Sequence, residues 1–91
     1  MNPPHVYFMA QNQAIICQGD WEVFQSYSTT VAIRNTNDYR VYLHTDYWDV
    51  YSATTNKYLL RFLNNDSIQE VRQIVKQGGY TVVSNWLEVE E

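Results

Sequence analysis

With 91 residues the chain has room for one domain with a thin core, so a second copy or a bound partner can supply part of its stability. Its apolar fraction of 45% is ordinary, but 15% of the residues are aromatic and eight are tyrosines, a side chain that suits a small core and a contact surface equally. The formal net charge of -4 works against indiscriminate phosphate binding, and the single cysteine, Cys17, excludes an intrachain disulfide.

Residues 1–4 read as a loose start, because two adjacent prolines cannot enter a sheet interior. His5–Ala10 is mostly apolar and reads as a strand; a helix opened by Pro3-Pro4 is the alternative. Gln11, Asn12 and Gln13 suit a turn. The short apolar run 14–17 fits a strand or a buried helical turn, and Gln18-Gly19-Asp20 is a further turn signal. From Trp21 the pattern alternates, with Trp21 and Val23 against Glu22 and Phe24. Residues 28–35 are rich in β-branched side chains, which places Val31 and Ile33 on one face and Thr30, Ala32 and Arg34 on the other. Asn35-Thr36-Asn37-Asp38 has hairpin-turn chemistry, and residues 39–45 alternate again, Tyr39, Val41 and Leu43 against Arg40, Tyr42 and His44. An antiparallel meander over residues 21–45 follows.

Residues 46–51 (DYWDVY) carry neither period and read as a loop that packs its rings over the sheet. Ser52 or Thr54 can cap a helix whose apolar face is Thr55, Tyr58, Leu59, Phe62 and Leu63, with Lys57 and Arg61 on a wetter side. Asn64-Asn65-Asp66 ends it. Ser67 and Glu70 then form a capping box ahead of a stripe of Ile68, Val71, Ile74 and Val75. Lys76 favours the negative end of that helix, and Gly78 suits the left-handed position beyond it. Residues 80–86 read as a last strand and residues 87–91 as an acidic tail. These elements predict an α+β domain, an antiparallel sheet of about four to five strands with two helices packed on one face.

Little in the sequence points to chemistry. His44, Asp46 and Asp49 offer at most three metal ligands, fewer than a closed site needs, so no metal or other cofactor is expected. The only glycines are Gly19, Gly78 and Gly79, which leaves no phosphate-binding loop. Cys17 with His44 and Asp46 or Asp49 would be the one nucleophilic set, but Ile15 and Ile16 beside Cys17 suggest a buried, inert thiol. The chain is therefore not expected to be an enzyme. Two binding surfaces remain. Arg34, Arg40, Lys57 and Arg61 are interleaved with Tyr39, Tyr42, Tyr47, Trp48 and Tyr58, a composition that can hold phosphates and stack bases. Asp46, Tyr47, Trp48, Asp49 and Tyr51 set large rings among carboxylates, which suits a partner protein bearing arginines. The second surface is preferred, because the acids outside residues 34–61 give the chain its negative balance.

Ser26-Tyr27, Val31-Ala32, Tyr42-Leu43, Tyr47-Trp48 and the run Tyr51-Ser52-Ala53-Thr54-Thr55-Asn56-Lys57-Tyr58 form a pattern of the type SY-x-T-x-VA followed by YW-x-YS-x-TT-x-(K/H). In this the chain resembles a family of short phage-encoded proteins, over about residues 21–63. That family has no established activity to carry over, and the resemblance implies a phage or prophage origin. Because Thr54 and Thr55 suit a first helical turn, the pattern also reads as a folding signature. The expectation is a small acidic phage accessory protein in the cytoplasm of a bacterial host. It would bind a host protein, such as a CRISPR nuclease complex, as an inhibitor. A nucleic-acid-binding regulator is the alternative, a homodimer is compatible with either, and no membrane segment is expected.

Overall fold

Short polar turns and β-rich runs fold the first half of the chain into five successive antiparallel strands: β1 (His5–Ala10), β2 (Gln13–Gln18), β3 (Trp21–Ser26), β4 (Thr29–Asn35) and β5 (Val41–His44). Two helices follow, α1 (Ala53–Leu63) and α2 (Ile68–Lys76), and β6 (Tyr80–Val83) pairs in parallel with β5. The computed structural model describes residues 4–49 and 52–89. Spatial order equals sequence order, so β1 and β6 are the two edges. The helices occupy the one connection that cannot be a tight turn, because a parallel neighbour is reached only by a crossover.

The α+β class and the helix-covered face agree with the sequence, and the sheet has six strands. The additional strand comes from residues 14–17, which lie in β2 and form no helical turn; the N-terminal helix is not adopted either. Left-handed backbone at Asn12, Gly19 and Tyr27 closes three two-residue turns. Tyr39 also has a positive φ of 60°, so it belongs to the β4–β5 turn and β5 begins at Val41. The last strand stops at Val83, and Trp86 instead opens a 3-10 turn (Trp86–Glu88) capped by Asn85. Residues 1–3 of the expected loose start at 1–4, Val50 and Tyr51 of the aromatic loop, and the last two acids lie outside the described residues.

Cross-strand partners share a face, so the register sorts the side chains into rows. One row runs Tyr7, Ile15, Phe24, Ala32, Leu43, Val82 beneath the helices. Phe24, Ala32 and Leu43 are fully buried there with Val31, Leu59 and Val71, and Phe24 stacks on Phe62 with ring centroids 5.8 Å apart. Val31 and Ala32 are neighbours, yet both are core. The register slips between Phe24 and Gln25, because Phe24 pairs with Ala32 while Gln25 pairs with Thr30. Val31 is thus the extra residue of a β-bulge and joins Ala32 on the helix face, whereas Ile33 faces the other way. Plain alternation had paired Val31 with Ile33.

Polar contacts fix α1 at both ends. Ser52 caps it by accepting from the Thr55 N–H at 3.0 Å. The Thr55 hydroxyl, fully buried, lies 2.7 Å from the equally buried Ser26 hydroxyl at the end of β3. At the far end Arg34 donates to the Phe62 carbonyl at 2.8 Å and stands 4.4 Å from the centre of the Phe62 ring. Asn64 then takes the left-handed C-terminal conformation. Ser67 caps α2, accepting from the Glu70 N–H at 3.1 Å, and Glu70 accepts from the Asn65 side chain at 2.6 Å. The other end of that amide accepts from Tyr80 at 2.7 Å, which joins the interhelical link to β6. Gly78, with φ +83°, turns the chain out of α2.

Two expectations follow. Thr55→Val leaves the Ser26 hydroxyl buried without a partner and costs about 2 kcal/mol, whereas Ser26→Ala leaves Thr55 still bonded to Ser52 and costs about 1 kcal/mol. In urea unfolding the double variant loses less than the sum; strict additivity would show that the two hydroxyls are not coupled. Burial, the largest cause, raises the Tyr80 phenol above its ordinary value of 10.0, and Glu70 adds to the rise against Arg34 and Asn65. Its contribution to stability is therefore complete below pH 10.0 and is lost as the pH climbs through the raised value. Tyr80→Phe flattens that alkaline loss, as read by thermal unfolding between neutral and strongly alkaline pH.

Candidate functional site

Loop residues 46–49 wrap the end of β5. Three N–H groups, those of Asp46, Tyr47 and Trp48, turn back on His44, the first to its Nδ1 and the others to its carbonyl. Asp46 is exposed, and Tyr47 is half-buried with its ring 4.7 Å from that of His44. Trp48 is only 8% exposed and belongs to the core cluster. Asp49 accepts three hydrogen bonds from Arg72 of α2, the shortest at 2.7 Å. The ring that was expected to anchor a partner is therefore core, and one of its flanking carboxylates is committed within the molecule. Tyr51 lies outside the described residues.

The four basic residues of the alternative surface do not form one patch. Arg34 is held by Glu22 at 2.9 Å and by the α1 carbonyl described above. Arg40 sits in the β4–β5 turn, 3.6 Å from Asp38. Only Lys57 and Arg61 come together, their charged ends 5.4 and 5.1 Å from the centre of the Tyr58 ring. The nucleophilic set is also taken apart. Cys17 pairs in register with Glu22 on the helix face, whereas His44 is on the opposite face, so the sheet stands between them. Burial, the main cause, with Glu22 against Arg34, raises the Cys17 thiol above its ordinary value, which disfavours the thiolate. Among the described residues no three His, Cys, Asp or Glu side chains gather to hold an ion.

What the structure does bring together is the face of the sheet away from the helices. Val6, Ile16, Val23, Ile33 and Tyr42 are paired in a continuous row across five strands. Trp21 lies against Tyr42 at 6.1 Å, and Tyr47 and Trp86 close the β5 end over His44. Exposure falls along this face from β1 to β5: Phe8 is 74% and Val6 49% exposed, Ile16, Val23 and Ile33 are half-buried, and Tyr42 is buried. Between the apolar positions stand Gln18, Gln25, Thr30, Asn35 and Thr81, and among the described strand residues this face carries no Asp, Glu, Lys or Arg. An apolar sheet face without charge is the composition of an interface core.

The sequence held a signal for this surface. Val6, Ile16, Val23 and Ile33 are out of phase with Tyr7, Ile15, Phe24 and Ala32, so both phases of the first four strands are apolar. A sheet apolar on both faces with only two helices to cover it leaves one face over.

The model of a family described as a family of unknown function, DUF8033, matches residues 4–78. No curated protein and no solved structure matches the chain.

The burial of Trp48 has a measurable consequence. Trp48→Ala lowers stability by about 3–5 kcal/mol, seen as a large fall in melting temperature. Asp49→Ala, at a partly exposed ion pair, costs under about 1 kcal/mol. A Trp48→Ala protein as stable as the parent would mean that this ring is not core.

Proposed function

The chain belongs to the family of unknown function DUF8033, and we propose that it acts by binding another protein through the uncharged, open face of its sheet. The observation that carries this reading is the row Val6, Ile16, Val23, Ile33, Tyr42 with Phe8 beside it. A partner for this face is an apolar, uncharged protein surface. Nucleic acid is disfavoured there, because nothing on the face neutralises a phosphate. On this reading the contact lies on the back of the sheet, and residues 46–49 have a supporting role, holding the end of β5 and closing one margin of the face.

The resemblance of residues 21–63 to short phage-encoded proteins supports a phage or prophage origin. In that setting the partner is a host protein in the bacterial cytoplasm, and a defence assembly such as a CRISPR nuclease complex is the first target to try. The activity is inhibition by occupancy and needs no catalytic step or cofactor. The nucleic-acid alternative now rests on Lys57, Arg61 and Tyr58 alone.

Capture from bacterial lysate, with and without nuclease treatment, tests the reading when the parent is run beside two variants. Ile33→Lys puts a charge in the middle of the open face, and the partner captured at fixed stoichiometry by the parent is lost by at least tenfold. Lys57→Glu with Arg61→Glu leaves that capture unchanged. The opposite pattern, with capture that also vanishes on nuclease treatment, overturns the proposal in favour of nucleic acid.

A further inference from the structure

We infer that β1 is a dimerisation edge: two copies pair their β1 strands antiparallel about a two-fold axis at Tyr7 and merge their sheets into one. The first support is exposure. β1 pairs with β2 on one side, and among the described residues no strand pairs with its other side. An edge strand presents a row of backbone donors and acceptors, and proteins that stay monomeric shield such edges with charge, an internal proline or a bulge. The one irregularity of β1 falls at Met9 near its end, and His5–Phe8 pair regularly with β2. His5–Ala10 contains no Lys, Arg, Asp, Glu or Pro. Instead Val6, Tyr7 and Phe8 are 49, 60 and 74% exposed.

The second support is that the strand complements itself. With Tyr7 opposite its own copy, Val6 of one chain faces Phe8 of the other, twice, on the open face of the sheet. A β-branched residue opposite an aromatic one is a favourable cross-strand pair. The same register brings His5 near Met9, where the β1 bulge ends regular pairing, and places no like charges together. A two-fold contact of this kind uses one patch on both copies and closes on itself, whereas β1 against the four-residue β6 edge would propagate. The third support is area. The exposed parts of these three residues, backbone included, offer on the order of 400 Å² per copy, so the pair buries at most roughly 800 Å², the size of a weak, reversible contact. A reversible dimer in the micromolar range follows. Each copy carries a net charge of -4, but β1 contributes nothing to it, so repulsion acts only at a distance and weakens further with salt. The inference does not depend on the partner-binding proposal; if both hold, the dimer lays two open faces side by side.

Sedimentation equilibrium and native mass spectrometry on the whole chain, over a wide concentration range, test it. The parent shows a monomer–dimer equilibrium. Val6→Lys with Phe8→Lys sets lysine against lysine across the axis and weakens the dimer roughly a hundredfold, as does Val6→Glu with Phe8→Glu. An equimolar mixture of the two doubly substituted chains restores a mixed dimer, because lysine then faces glutamate. Circular dichroism checks that each variant is folded, and both positions are exposed enough to accept the change. If a variant fails to fold, hydrogen exchange on the parent decides: the outward β1 amides gain protection as concentration rises. A parent that is monomeric at about 100 μM, an open series of larger oligomers, a mixture that stays monomeric, or β1 amides indifferent to concentration would each overturn the inference.

Discussion

The contact on which the arrangement of layers depends is the buried pair of hydroxyls, Ser26 at the end of β3 and Thr55 in the first turn of α1. Hydrophobic packing alone would let the helix slide along the sheet, since apolar contact is not directional. A 2.7 Å hydrogen bond between two fully buried groups cannot slide, because any other register would strand two polar atoms away from water. Ser52 accepts the Thr55 N–H and donates to its hydroxyl, so the same three residues start the helix and seat it. Arg34 does the corresponding work at the other end through the Phe62 carbonyl.

This gives the signature pattern a physical meaning. Its two halves, around Ser26 and around Ser52–Thr55, are far apart in sequence and meet in this contact. Tyr27 carries the left-handed turn, Val31-Ala32 the bulge, Leu43 the core row, and Trp48 the wedge beside β5. Ser26, Tyr27, Val31, Ala32, Leu43, Trp48, Ser52 and Thr55 therefore each have a folding duty. The exposed apolar residues Val6 and Phe8 lie outside the pattern.

Much of the fold was legible because its cues are local: turn residues, period-two strands, Ser67 and Ser52 as caps, Gly78 as a stop. What was hidden depends on pairing. The bulge at Val31 changes a face without changing local composition, and it can be seen only against β3. β5 reads as an alternating strand, yet all four of its residues are buried because β4, β6, the helices and the His44 cap enclose it. Trp48 looks like an anchor between two acids until Arg72, remote in sequence, claims one of them. The same limit hid the candidate surface: residues that look like alternate core positions become an uncovered face once both helices are found on the other side.

The parallel return of β6 also sets an order of events. Strands β1 to β5 are joined by short turns and can zip together through neighbouring contacts, which form early because closing a short loop costs little entropy. β6 must wait until α1 and α2 have formed and packed. Until then β5, the most deeply buried strand of the finished sheet, is itself an unpaired apolar edge. During synthesis this interval lasts from the emergence of His44 to that of Tyr80, so the growing chain has β5 as an edge where the finished sheet has β6. Slow translation across α2 would then favour misassembly through β5, an association distinct from any made through β1.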